Sequence, residues 1–319
     1  MNFARFAARR LLEMVVTLLV ASFAIFGCMY LAPGNPVSFL LAGRAASPAS
    51  IDALDAQYHL NQPFALQYWR WLGQVLQGNF GRSIEYRTSV DSLLAARLPN
   101  TMLLVAMSLV LVIVFGLSLG WIAAVRGGFT DATILVTTTV AVGTPSFVAA
   151  IVMQAVFSVK LGWFPSGGTG TGFADVLWHL MLPALALAFY LIGLLARVTR
   201  SAMLEAMEHE HVTAARSRGV PERQVIWRHV FRNSLVTVLT MSGLILSTLV
   251  VCTVLVEDAF GVNGIGNLLD LSTTTKDFPV VQAISLIIIT LFMVVNFIVD
   301  LMLPLVDPRV TLGDRSDAA

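Results

Sequence analysis

The sequence predicts an all-α, polytopic membrane protein with about six transmembrane helices and a small extracytoplasmic cap. Three observations carry that prediction. Of 319 residues, 57% are hydrophobic and only 12% charged, whereas a soluble domain has roughly a quarter charged residues. Mean hydropathy is +0.79, which excludes the low hydrophobicity of a disordered chain. The apolar residues also gather into six stretches, each close to or above the ~20 residues that carry a helix across a hydrocarbon core. None shows the alternating pattern of a spanning β-strand. A net charge of +1 gives no bulk attraction to nucleic acid, so no nucleic-acid partner is expected.

Each element follows from local signals. Residues 1–31 read as a cytoplasmic N-terminus and a first span, 11–31. Arg5, Arg9 and Arg10 precede an apolar run longer than the roughly 7–15 residues of a cleaved signal. That run ends in Ala32-Pro33-Gly34-Asn35-Pro36, a turn rather than a cleavage site, so the span is expected to remain uncleaved. Residues 32–100 are too many for a simple connection and read as the folded cap. Further spans at 101–125, 132–159, 176–196, 235–256 and 280–306 complete a core over 101–306. Pro145 and Pro183 lie inside two of them and predict kinks held by neighbouring helices. Residues 167–172, rich in glycine, read as a short flexible outer loop. Residues 197–234 form an inner segment with seven arginines, and 307–319 a cytoplasmic tail. With the N-terminus inside, 13 of the 20 Lys and Arg residues fall on the inner side and 7 on the outer. The positive-inside rule then places both termini in the cytoplasm.

Several chemistries are missing. A phosphate-binding P-loop needs a Lys after Gly, but Lys160 follows Val159 and Lys276 follows Thr275. No cofactor is therefore expected in this chain by that route. His209-Glu210-His211 puts its histidines on different helix faces, so no metal site is expected. His59, His179 and His229 are isolated in sequence. The run from Gly261 to Gly266 does not match GxGxxG and reads as a tight turn. Cys28 and Cys252 sit in apolar runs and read as small buried hydrophobes. Asp300 lies near the inner end of the last span and reads as a helix-end anchor, while Glu257 and Asp258 are expected at the outer water interface. No Ser/His/Asp or Cys/His set can be assembled, so no catalytic residue is predicted.

The inner segment is the most informative. Thr213-Ala214-Ala215 can start a short helix of small side chains. Gly219 can end it in the left-handed conformation, and Pro221 can open the next. Two short helices outside the membrane would result, with small residues for close approach and arginines for charge-assisted contacts. A long loop carrying positive-inside arginines accounts for the same residues equally well.

Resemblance to a known family favours the first reading. Ala214-Ala215-x-x-x-Gly219 before the penultimate span resembles the EAA loop of ABC importer permeases. The resemblance to the dipeptide/oligopeptide permeases extends over nearly the full length. It is carried by Arg9-Arg10-Leu11-Leu12, Leu31 to Pro36, Gly78-Asn79-Phe80-Gly81-Arg82-Ser83, Leu98-Pro99-Asn100-Thr101, Arg197-Val198-Thr199-Arg200-Ser201 and Arg228 to Leu235. Later matches are Glu257-Asp258-Ala259-Phe260, Gly264-Ile265-Gly266, Asn296 to Asp300 and Asp307-Pro308-Arg309. Thr213 stands where the wider pattern has Glu, and Thr237 where the peptide family usually has Pro. Asn35 and Asn79 replace Asp, and Asn263 replaces Pro.

The resemblance implies a type I ABC importer permease subunit in the bacterial cytoplasmic (inner) membrane. It implies a second homologous permease, two ATP-binding subunits that hold ATP and Mg, an extracytoplasmic solute-binding protein and surrounding membrane lipid as partners. The coupling loop would be Thr213, Ala214, Ala215, Arg216, Ser217, Arg218 and Gly219. Phe80, Arg82, Gly264 and Gly266 are candidates for binding-protein docking or gating. Relatives handle dipeptides, oligopeptides, glutathione or nickel chelates. Stand-alone transport as a channel or secondary transporter, and a membrane-embedded enzyme, are the competing classes. The first needs mid-span charges or paired broken helices, the second a polar constellation near the bilayer plane.

Overall fold

A computed structural model describes residues 3–31 and 62–306. Residues 32–61 and the tail 307–319, with the motifs at 32–36 and 307–309 and His59, lie outside the described residues. The described chain is helical, with one isolated bridge between Arg82 and Ser89. The helices are α1 (Phe3–Leu31), α2 (Phe64–Leu76), α3 (Val90–Arg126), α4 (Gly128–Gly143) and α5 (Ser146–Met153). They continue with α6 (Phe173–Met207), α7 (Glu210–Ser217), α8 (Glu222–Gln224), α9 (Arg232–Phe260), α10 (Ile265–Thr274) and α11 (Phe278–Val306). Wider π-helical turns extend α5 over Gln154–Lys160 and join α8 to α9 over Val225–Phe231. Among the described residues five helices are long and apolar enough to span, or six when the bent pair α4–α5 is counted as one broken span.

The core is organised around α6. Leu180, Leu182, Leu187, Leu191 and Leu195 are all almost fully buried, with Ala184, Ala186 and Ala188 between them. Lipid tails are as apolar as leucine, so close packing and dispersion hold these helices together in place of water expulsion. The sequence supplies that packing through small residues. On α3, Gly116 and Gly120 face α6. A Cβ on Gly116 would lie 2.9 Å from the Leu195 side chain, and one on Gly120 would lie 2.6 Å from the Ala196 carbonyl. Across the other side of α6, Gly193 approaches the Thr138 carbonyl of α4 equally closely. Helix α9 crosses α6, α11 packs on α9, and α1 lies outermost against α11.

Three details differ from expectation. Pro145 does not kink a continuous span. Thr144 before it is extended, Pro145 occupies the N-cap of α5, and the two halves meet at 103°. Proline disfavours the α conformation in the residue before it, and here nothing restores the lost turn. Pro183, by contrast, sits buried inside an unbroken α6. Helix α3 begins at Val90, eleven residues before the apolar run, with the Ser89 side chain capping the Ser92 amide. Cys28 is exposed because α1 packs only at the edge of the bundle, and Cys252 on α9 is half-buried.

The described part of the segment between α1 and α3 is simple. Amphipathic α2 lays Tyr68 and Leu72 against α1, where Phe26 meets Trp71 with ring centroids 5.3 Å apart. Ser22 and Tyr68 share a hydroxyl hydrogen bond of 2.9 Å.

Candidate coupling interface

At one end of the bundle, the loop between α6 and α9 is built from local capping signals. Helix α7 closes when Gly219 turns left-handed, at φ +76°. The Gly219 amide then donates to the Arg216 carbonyl and the Val220 amide to that of Ala215, which satisfies the last carbonyls of the helix. Pro221 takes the N-cap of α8. Arg216 clamps the turn by donating through Nη2 and Nε to both carboxylate oxygens of Glu222, at 2.6 and 3.2 Å. That paired hydrogen bond holds the Glu222 carboxyl below the usual carboxylate range and pushes the Arg216 guanidinium further up.

Val212 and Ala215 point inward and are buried with Ala124 of α3, Met203 and Ala206 of α6, and Val225 and Val230 of the π-helical turns. The opposite face presents Thr213, Ala214, Ser217 and Arg218. Of the residues read as one interface, Ala215 is therefore an anchor and Arg216 an internal clamp. Gly219 supplies the turn, and the remaining four form the exposed surface. A short helix seated on α3, α6 and the lead-in to α9 can pass a push to all three as a rigid body, because close-packed interiors do not deform continuously.

Two ion pairs fasten the same end. Arg200 of α6 donates to both oxygens of Asp131 on α4, at 2.5 and 2.6 Å. Arg10 of α1 meets Asp300 of α11 at 3.3 Å, which is the anchoring role expected of Asp300. Folding also brings His229 to His211, with ring centroids 6.3 Å apart, and the Asn233 amide contacts His211 Nε2 at 2.8 Å. Among the described residues no group of three or more His, Cys, Asp or Glu could hold a metal.

The other end is built around two carboxylates. Glu257 is fully buried, not at the water interface. It accepts from Thr101 Oγ1 at 2.6 Å, from the Gly266 amide at 2.7 Å and from the Asn267 amide at 3.3 Å. Thr101 in turn accepts from the Ile265 amide at 2.9 Å. The carboxylate thus satisfies orphan amides at the start of α10. Gly264 and Gly266 lie so close to it that a Cβ on either would collide with the carboxylate. Asp277 is also buried and accepts from Ser83 Oγ at 2.5 Å and from the Ile84 and Glu85 amides at 3.2 Å each. It pins the loop 78–89 against the α10–α11 turn. Phe80 packs into the apolar cluster of Val90, Leu94 and Leu268, whereas Arg82 is exposed and donates to the Arg87 carbonyl. Asn79 Oδ1 accepts from the Gly81 amide at 3.0 Å, the turn that an aspartate would make.

A model of the binding-protein-dependent transport system inner membrane component matches residues 116–312. A second, of the N-terminal membrane component of such systems, matches residues 3–105. The chain belongs to this family. It is an ABC importer permease of the peptide group, multi-pass in the inner membrane. It is 38% identical over 307 residues to a Brucella abortus protein named as a peptide transport system permease, covering 95% of this chain and 97% of that one. The oligopeptide transport system permease protein AppB of Bacillus subtilis is 35% identical over 314 residues, 96% and 99% of the two chains. The glutathione transport system permease protein GsiC of Salmonella paratyphi A is 33% identical over 306 residues, 96% and 98%. The α7 loop, the Asp131–Arg200 pair and Glu257 of the permease all lie within the larger match.

Proposed function

We propose that this permease forms half of the pathway of an ATP-driven importer for peptides or peptide-like solutes, with α7 as the helix through which ATPase subunits act. The carrying observation is the construction of α7, with its apolar side seated on α3, α6 and the α9 lead-in and its small polar side free to receive a partner. A second homologous permease completes the pathway. Two ATP-binding subunits hold ATP and Mg, so this chain needs no cofactor and performs no catalysis. Both termini lie in the cytoplasm. When the ATPase dimer closes, α7 moves with it. The buried patch around Met203 and Val230 carries that movement into α6 and α9, turning the pathway between inward- and outward-facing states. An extracytoplasmic solute-binding protein docks at the other end on the loop that exposes Arg82 and is anchored by Phe80, beside the start of α10 at Gly264 and Gly266.

The test uses the complete complex in proteoliposomes. Ala214→Cys is expected to cross-link to an ATPase subunit. Gly219→Val and Arg218→Glu are expected to keep ATP hydrolysis while losing most solute uptake. Unchanged coupled uptake in both variants, or uptake that persists when the ATPase is poisoned, overturns the proposal and returns the chain to the class of channel or secondary transporter.

A further inference from the structure

The stretch that leads from α8 into α9 presents a second face that the coupling role does not use. Val225 and Val230 turn inward and are fully buried. Arg223, Trp227, Phe231 and Leu235 succeed one another four residues apart, flanked by Arg228 and Arg232, and together line an open groove of about 840 Å³. Trp227 is 58% exposed although large and apolar. It stands edge-on to Trp121 of α3, with centroids 4.7 Å apart, and Phe231 lies 5.0 Å from the same ring. From this aromatic cluster a second groove of about 700 Å³ runs along α3 past Leu117, Val114 and Ile113. Arg223, Arg228 and Arg232 make no ion pair among the described residues.

We propose that this double groove holds one anionic glycerophospholipid, its phosphate head group on Arg223, Arg228 and Arg232 and an acyl chain along Ile113, Val114 and Leu117. The charge and the depth of the site both point to that occupant. Arginine forks suit phosphate oxygens, and tryptophan settles where head groups meet hydrocarbon. An acidic water-soluble partner would match the arginines but not an apolar wall inside a span. A purely apolar helix would match the wall but leave three cations facing it. An anionic lipid carries both features in one molecule, and each Lys or Arg near such a surface adds to the attraction. The site would tie the segment beside the coupling helix to lipid composition.

The complete complex is placed in nanodiscs containing a minor fraction of phosphatidylglycerol or phosphatidylcholine with brominated acyl chains, and tryptophan emission is followed. The Trp227 component is the difference between the unmodified complex and Trp227→Phe. Brominated phosphatidylglycerol is expected to quench it at about one tenth of the mole fraction that brominated phosphatidylcholine requires, a tenfold preference well within what three arginines supply. Arg223→Gln/Arg228→Gln/Arg232→Gln is expected to abolish that preference, and to lose phosphatidylglycerol from the complex in native mass spectrometry. Equal quenching by both lipids in the unmodified complex overturns the proposal. Protection of Trp227 from both lipids while other tryptophans are quenched also overturns it, because a protein subunit then covers the groove. Both readouts are independent of ATP coupling, so they stand or fall apart from the proposed drive.

Discussion

The two ends of the bundle solve the same problem, how to fix a connecting helix, by opposite means. At one end, α10 is held by a buried carboxylate, with Glu257 taking the amides of Gly266 and Asn267 and the hydroxyl of Thr101. At the other, α7 is held by backbone capping at Gly219 and by two small apolar side chains, Val212 and Ala215. A desolvated polar hub is costly to leave half-satisfied, so the first end is closed and specific. A capped helix on an apolar seat keeps its polar face available, so the second end is rigid yet open to a partner. On the proposed drive through α7, the contrast teaches that holding one end closed and leaving the other open to a partner are separately built. Damage to one is expected to cost stability and damage to the other to cost transmission.

Substitutions can break or sharpen that contrast. Glu257→Ala orphans three buried donors and is expected to have the largest effect, about 3 kcal/mol or more at roughly 1–3 per unsatisfied group. A lower unfolding midpoint of the detergent-solubilised permease checks it, and Glu257→Gln, which keeps one acceptor oxygen, should recover part of the loss. Asp277→Ala releases the loop 78–89 and should cost about 2 kcal/mol, read as faster limited proteolysis at Arg82 and Arg87 in the detergent-solubilised permease. Gly219→Ala forces a side chain into left-handed backbone at about 1 kcal/mol. Its unfolding midpoint should move little while coupled uptake falls severalfold, the reverse of the Glu257 pattern.

Acidification should give the smallest effect. Because the Glu222 carboxyl is held below its ordinary range by Arg216, the pair stabilises the α7–α8 turn at neutral pH. That contribution fades as pH falls from the ordinary glutamate value, about 4.3, through the lower folded one. Both groups are well exposed, so it amounts to less than 1 kcal/mol. Proteolysis of the turn should accelerate below about pH 4 in the unmodified permease and be insensitive to pH there in Arg216→Ala.

Much of the coupling end was readable from sequence because its signals are short-range. The Ala-Ala pair, the left-handed glycine and the following proline act over fewer than ten residues, and the structure places them as a helix, its cap and the next helix start. What sequence reasoning missed there is which way each side chain faces. Ala215 was read as surface and is buried; Arg216 is exposed as read, but its guanidinium is taken up by Glu222. The outer hub was barely readable. Glu257 looked like an interface residue beside the end of a span, and Gly264 and Gly266 looked like docking positions. The available clue was an acid seven and nine residues before two glycines, a spacing that lets a backbone close over a carboxylate. Its partner Thr101 lies 156 residues away, and no local pattern links them.

By itself the sequence determined the all-α membrane class, the approximate spans, the short helix capped at Gly219 and the anchoring role of Asp300. Hydrophobic run length and capping chemistry are written within a turn or two of the residues they control. Tertiary structure alone decided that Pro145 breaks its span while Pro183 does not, that Arg200 pairs with Asp131, that His229 meets His211 beside α7, and that Glu257 is buried. Each of these depends on which helices press together. That choice rests on close contacts such as Gly116 with Leu195 and Gly193 with Thr138, which the chain creates only once it has folded.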